Sequence, residues 1–140
     1  RPGIIWEAKC PSDGVAATAT AAALAERISA YSTHRCIVAS FDRTFLQAMR
    51  ALLPQQPLAL IAEVLPSDWL GFCEQYDIAG VHLDGEQLDE CAAQSVIERH
   101  RQLRCYTINT VPLAKKLVQM GVEMVMTDRP DDFSVSLERI

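Results

Sequence analysis

The sequence predicts an α/β fold made of βα repeats. Short apolar runs rich in Val, Ile and aromatic residues recur along the whole chain. Helical patterns lie between them, and run starts are spaced by roughly twenty to thirty residues, the size of one βα unit. Strands of that composition, with little alternation, are those covered on both faces.

The strand-like runs, in order, are IIWEAK (4–9), CIVASF (36–41), PLALIAE (57–63), GVHL (80–83), RCYTIN (104–109) and EMVMT (123–127). The first helical stretch, 15–31, is alanine-rich and follows Ser12 and Asp13, both good N-cap residues. The second carries Phe45, Leu46, Met49, Leu52 and Leu53 at helical spacing and stops at Pro54. The third holds Trp69, Leu70, Cys73 and Tyr76 behind the start signal Pro66-Ser67-Asp68. A fourth spans 87–101, and a fifth, 111–120, ends at Gly121, a natural C′ residue. No linker or low-complexity stretch interrupts them, so residues 1–140 read as a single domain. From the pattern alone two architectures remain: an open doubly wound sheet, or six units of a (βα)8 barrel, whose usual length is about 250 residues. No glycine-rich turn follows any strand, so a nucleotide-binding open sheet has no support.

Bulk properties narrow the function. A formal charge of −5 without a basic cluster argues against nucleic acid as partner, and leaves an anionic substrate in need of local help such as a metal ion. Apolar stretches are too short and interrupted to span a bilayer, and no signal-peptide pattern is present. The five cysteines include no C-x-x-C pair and read as reduced thiols of a cytoplasmic protein, which argues against zinc. The chain starts at Arg1-Pro2-Gly3 without an initiator methionine, so it is expected to be processed or part of something longer.

Polar residues collect where the strands end: Glu7 and Lys9, Ser40 and Asp42, Glu63, His82 and Asp84, Tyr106 and Asn109, Thr127 and Asp128. In both architectures these ends converge on one rim, which could hold a hard divalent cation and an anionic ligand together. Most have a plain structural reading. Asp42, Asn109 and Thr110 precede helices and read as caps. His82 sits in an apolar strand and reads as a hydrogen-bonded core residue, while His34 and His100 read as surface. Glu63 reads as a strand-end charge reaching solvent, and Lys115 and Lys116 as a solvated helix face. Glu7 and Lys9 resist that treatment. Alternation puts both on one face, and a buried pair there carries a desolvation penalty of roughly several kcal/mol per ion. A phosphate site explains the pair better, with the carboxylate toward a cation, the ammonium toward a phosphate oxygen, and Ile4, Trp6 and Ala8 facing the helices.

Four motifs occur in order on matching βα elements: E-A-K (7–9), A-S-F-D (39–42), Y-T-I-N (106–109) and G-V-E-M-V-M-T-D-R-P (121–130). Together they resemble the glycerophosphodiester phosphodiesterase family, whose pattern is E-x-K, S-F-D, W-T-V-N and G-V-D-x-x-x-T-D-x-P. The resemblance covers essentially the whole chain. It implies the TIM (β/α)8 barrel, of which about six βα units are present. It also implies hydrolysis of glycerophosphodiesters to glycerol 3-phosphate and an alcohol, in lipid and glycerol metabolism, with a divalent cation (Mg2+ or Ca2+). By the same resemblance Glu7 maps onto a metal ligand, Lys9 onto a phosphate contact, and Tyr106 onto the aromatic that lines the substrate pocket. Tyrosine in place of tryptophan keeps the ring and adds a hydroxyl.

The family's His-Arg-Gly strand, Glu-x-Asp strand and His-Asp loop have no counterpart in this sequence. With them go the two catalytic histidines and two further metal-ligating carboxylates, and His82 stands at neither histidine position. The 140 residues alone are therefore expected to be inactive, the C-terminal part of a larger parent enzyme, with two open sheet edges through which copies could associate. A natural truncation, or a dimer that closes the barrel, is the variant of this expectation. A non-catalytic α/β domain that binds a small anion is the alternative function. A flavodoxin-like receiver with Asp42 as acceptor would need an acidic cluster at the first strand end, which Trp6-Glu7-Ala8-Lys9 does not provide.

Overall fold

A computed structural model of the protein describes residues 3–10, 14–31 and 36–137. The expected Ser12–Asp13 cap, His34 and the Arg1-Pro2 start lie outside the described residues. The chain divides into two compact units, Arg1–Ile61 with Ser67–Ala79, and Ala62–Pro66 with Gly80–Ile140.

The first unit runs β1 (Ile4–Ala8), α1 (Gly14–Tyr31), β2 (Cys36–Ser40), α2 (Arg43–Leu52), β3 (Leu58–Ala62, its last residue in the second unit) and α3 (Trp69–Gln75). The strands are parallel, with Ile4 beside Cys36, Ala8 beside Ser40, and Val38 beside Leu58. Apolar runs with few polar interruptions give β2 and β3 their burial: Val38, Ala39, Leu58, Ala59 and Leu60 are essentially inaccessible. Helix α2 contributes Phe45, Leu46 and Met49 to that core, the stripe its helical spacing predicts. Helix α1 buries Ala17, Ala21 and Ala25, one per turn, and packs on α2 through this small-residue face.

β1 departs from expectation. Covering on both faces is not what the strand has: Ile4 is 48% and Trp6 42% exposed, and Ala8 alone is buried. Among the described residues its one strand neighbour is β2, so nothing there screens its outer edge.

Asp42 is the α2 N-cap its position suggests. Its carboxylate accepts the Phe45 amide at 2.8 Å, while its own N–H donates to Ser40 Oγ at 3.1 Å. The buried Ser40 hydroxyl in turn donates to the Ala8 carbonyl at 2.7 Å. Asp68 at the head of α3 makes no side-chain cap bond; its carboxylate takes Arg43 in a bidentate pair at 2.7 and 2.8 Å, with the guanidinium 4.7 Å from the Phe72 ring centre. The helix begins where the Pro66-Ser67-Asp68 start signal puts it, but the Asp68 carboxylate is taken by the charged fork from α2.

The second unit runs β4 (Gly80–Asp84), α4 (Glu90–Glu98), β5 (Gln102–Tyr106), α5 (Val111–Gln119), β6 (Met124–Val125) and α6 (Pro130–Leu137). Its strands are parallel in the order β4-β5-β6, with His82 beside Arg104 and Arg104 beside Met124. Helix α4 is shorter at both ends than the 87–101 expected: Asp89 caps its start by accepting the Ala92 amide at 2.8 Å, and the helix closes at Arg99, before His100 at φ +54°. Gly121 follows α5 with φ +93°, the left-handed C′ geometry glycine adopts without strain. Helix α6 was not expected; proline at its start and Asp131 and Asp132 in its first turn are its sequence signals.

One sheet face of this unit carries Val81, Leu83, Leu103 and Cys105, all buried. That face meets α5: a side chain on Gly85 would run into Ile108, Leu117 and Cys105 together. The opposite face carries His82, Arg104 and Tyr106. His82 is 1% and Arg104 5% exposed, with Arg104 Nη1 3.3 Å from His82 Nε2. Arginine has no acceptor, so Nε2 accepts and the imidazole proton resides on Nδ1. Burial, and then the charge of Arg104, lowers the His82 pKa from the ordinary 6.5 to about 4.

Two stability outcomes follow from these contacts. Asp42→Ala lowers unfolding free energy by about 1 kcal/mol, read from denaturant midpoints at pH 7. Between pH 6.5 and 4 the unfolded His82 binds a proton that the folded one refuses, so its stabilisation is complete above that window and lost as pH falls through it. The loss reaches roughly 3 kcal/mol near pH 4. His82→Gln, which keeps an acceptor for Arg104, flattens that part of the pH dependence; an unchanged slope assigns it to other groups.

Candidate functional site

Chemistry-bearing side chains gather at the C-terminal ends of the strands in each unit. Parallel strands buried on both faces admit polar groups mainly where the ladder stops.

In the first unit the strand ends carry Glu7, Lys9, Ser40 and Asp42. Lys9 Nζ lies 3.7 Å from Glu7 Oε1, and the side chains are 83% and 41% exposed. The expected burial of this pair is thus corrected. β1 lacks a covering layer, both charges keep much of their hydration, and the pair contributes at most about 1 kcal/mol to stability. An accessible ammonium beside an accessible carboxylate is free to meet a ligand. Ser40 and Asp42 are occupied with holding the β2–α2 turn, as described above.

In the second unit the strand ends carry Glu63, Asp84, Tyr106, Asn109, Thr127 and Asp128. Asp84 stays in its own turn, accepting the Glu86 amide and Gln87 Nε2, both at 2.9 Å. Tyr106 is half-buried, and its hydroxyl donates to the Ala62 carbonyl at 3.0 Å. The hydroxyl that distinguishes this residue from tryptophan is therefore turned onto the backbone at the end of β3. Asn109 is not a simple cap. Its Oδ1 accepts from Thr127 Oγ1 and from the Asp128 amide, both at 3.0 Å, tying the loop after β5 to the loop after β6. Thr110 takes the N-cap position of α5 without a side-chain cap bond. Glu63 is exposed, as expected, and its carbonyl accepts the Asp84 amide at 3.2 Å.

His82 is in the middle of β4 rather than at its end, and is the buried core residue of the plain reading. Its partner Arg104 was not singled out from the sequence; the signal was an arginine inside the apolar run Leu103–Cys105, in register with a histidine one strand away. His100 is exposed after α4, and Lys115 and Lys116 are exposed on α5. Cys105 offers no nucleophile: burial, reinforced by Asp84, pushes its thiol up to about 12.

Among the described residues no group of three His, Cys, Asp or Glu side chains comes together as metal ligands. A hard divalent cation takes about six oxygen ligands. The described residues therefore do not by themselves fit the cation that the resemblance implies; Glu7 offers a single accessible carboxylate. No helix among them is long and apolar enough to cross a membrane.

Comparison with known proteins bears on family and fold. The model of the glycerophosphoryl diester phosphodiesterase family matches residues 6–132. No curated protein matches the chain in sequence. Among solved structures, the chain is similar to a phosphodiesterase of Oleispira antarctica in complex with the product sn-glycerol-3-phosphate, with 25% identity and a TM-score of 0.85 over 97% of this chain and 55% of that one. It is also similar in fold to glycerophosphodiester phosphodiesterases of Parabacteroides distasonis (15% identity, TM-score 0.84, 97% and 57% covered) and Thermotoga maritima (16%, 0.70, 96% and 57%). The chain spans about half the length of these structures. Its six parallel strands with alternating helices are the βα units of a partial (βα)8 barrel, which answers the choice of architecture left open by the sequence pattern. The chain belongs to the glycerophosphoryl diester phosphodiesterase family.

Proposed function

We propose that the protein carrying this chain hydrolyses glycerophosphodiesters to glycerol 3-phosphate and an alcohol, and that residues 1–140 form the C-terminal part of its barrel domain. Family membership over residues 6–132 supports the reaction class, and the product-bound relative supports the ligand. The observation that carries the reading is the exposed E-x-K pair at the end of β1, a cation and a carboxylate within 3.7 Å and both open to solvent. Lys9 neutralises a phosphate oxygen. Glu7 supplies one ligand of a divalent cation whose remaining ligands the described residues do not provide. Tyr106, in the second unit, is the proposed pocket-lining aromatic, its ring held in place by the hydroxyl bond to Ala62.

Proton transfer to the leaving alcohol needs a group with a pKa near working pH and access to the reacting oxygen. His82, buried and neutral, has neither, and His100 lies on the helix-to-strand turn before β5, away from the strand ends. The 140-residue chain alone is accordingly proposed to be inactive. The same observation favours one second reading, a non-catalytic domain that uses these strand ends to bind a small anion. We further propose a cytoplasmic location, which the free cysteines among the described residues support.

The test uses the full-length protein with glycerophosphocholine and Mg2+ or Ca2+. Release of glycerol 3-phosphate that chelation abolishes supports the enzyme reading, and no turnover under either cation supports the anion-binding one. Glu7→Gln is expected to remove metal-dependent turnover with the melting temperature unchanged; full activity in that variant rejects Glu7 as a ligand. Lys9→Ala is expected to raise KM about tenfold, the loss of one charge-assisted phosphate contact of about 1.5 kcal/mol.

A further inference from the structure

In the turn after β2, Ser40 is buried and Asp42 half-buried, whereas Phe41 between them is 50% exposed. Both neighbours are held. Ser40 Oγ accepts the Asp42 amide at 3.1 Å and donates to the Ala8 carbonyl at 2.7 Å. The Asp42 carboxylate accepts the Phe45 amide at 2.8 Å. The backbone that carries the ring is thereby fixed from both sides, and the exposure of the ring is built into the turn. A single apolar side chain at a surface is ordinary, and its location is what makes this one informative.

Strand register gives that location. Glu7 is beside Ala39 and Ala8 beside Ser40 in the parallel β1–β2 ladder. Carried one residue further, the same pairing sets Lys9 beside Phe41. The Cys10 thiol hydrogen-bonds Thr20, so the Trp6, Ala8 and Cys10 side of β1 is the side of α1. Glu7 and Lys9 project from the other side, which Ala39 and Phe41 share by the same alternation. An apolar ring thus borders an ammonium that is 83% exposed and a carboxylate that is 41% exposed. The ring neither donates nor accepts a strong hydrogen bond, so it adds nothing to recognition of a bare phosphate. A carbon chain esterified to that phosphate is different, because its C–H groups leave water against the ring.

We propose that Phe41 is a specificity-determining residue that packs on the carbon chain of a phosphate ester held at Lys9, so that the site takes organic phosphates in preference to inorganic phosphate. The inference rests on the phosphate contact proposed above for Lys9 and names the ligand class that this contact selects. Because the turn positions the ring before the ligand arrives, little conformational freedom is lost on contact.

Calorimetric titration of the full-length protein with Mg2+ present tests it. The ligands are sn-glycerol 3-phosphate, ethyl phosphate and inorganic phosphate at about pH 8, where all three are largely dianions. The wild type binds the two esters about four- to fifteenfold more tightly than inorganic phosphate, the effect of one to two methylene groups leaving water. Phe41→Ala abolishes that preference and leaves the affinity for inorganic phosphate as it was. Phe41→Leu, which keeps an apolar surface, retains most of the preference. Phe41→Gln, polar and of similar reach, replaces Phe41→Ala should that variant fail to fold. A merely structural role would weaken all three ligands alike. Equal affinity of the wild type for the three ligands, no binding of any of them, a preference that survives Phe41→Ala, or an equal loss for all three in that variant overturns the inference. Glycerophosphocholine hydrolysis by the wild type separates the two claims. Hydrolysis without a Phe41-dependent preference removes this inference alone, and the preference without hydrolysis removes the enzyme reading alone.

Discussion

The buried hydroxyl of Ser40 joins the elements of the first unit more tightly than its size suggests. It donates to the carbonyl of Ala8, the last residue of β1, and accepts the amide of Asp42, whose carboxylate in turn caps α2. One small side chain thus satisfies an orphan carbonyl at a strand end and an amide in the turn, groups whose burial without partners costs about 1–3 kcal/mol each. A parallel sheet has this difficulty at every strand end, because the ladder stops where the chain must turn into a helix. The Glu7–Lys9 pair is on either side of Ala8, so the same hydroxyl also fixes the backbone from which both charges project.

In the second unit the corresponding task falls to the stretch Tyr106–Asn109. The Tyr106 carbonyl accepts the Gly85 amide, and the Ile108 amide donates to the Met126 carbonyl. The Tyr106 hydroxyl reaches Ala62, and the Asn109 side chain reaches Thr127 and Asp128. Four residues therefore connect the ends of β3, β4, β5 and β6 within that unit. A motif read as pocket lining is at the same time the fastening of these strand ends, so changes to it alter their geometry as well.

What the sequence reveals depends on how far away the deciding partner is. The βα alternation, the burial of β2 and β3, and the Asp42 cap follow from residues within one turn or strand of each other, and all were legible. The open edge of β1 was legible from the strands the sequence lacks, but the exposure of its faces was not, since composition describes a strand and says nothing about what covers it. His82 was legible as a core residue but its chemistry was not: the partner is 22 residues away and is found through strand register. Asn109 was misread, and the ion pair of Asp68, which does stand at the helix start its signal marks, was missed, for a related reason. Each is next to a helix start and invites a local cap, yet each is claimed by a side chain or loop 18 to 25 residues distant. Helix α6, short and polar with one buried aromatic at Phe133, has too little periodicity to announce itself.

The alanine face of α1 gives this helix an asymmetric tolerance to change. Ala17, Ala21 and Ala25 have almost no surface left, and their methyl groups set how closely the helix approaches α2. Shrinking any of them removes a single methyl, whereas enlarging one must push two backbones apart against a close-packed core. Alanine also supplies the highest helix propensity at those same positions. Drift along this stripe is therefore confined to the smallest residues, while the exposed positions between them, Thr18 and Ala22 among them, remain free to vary.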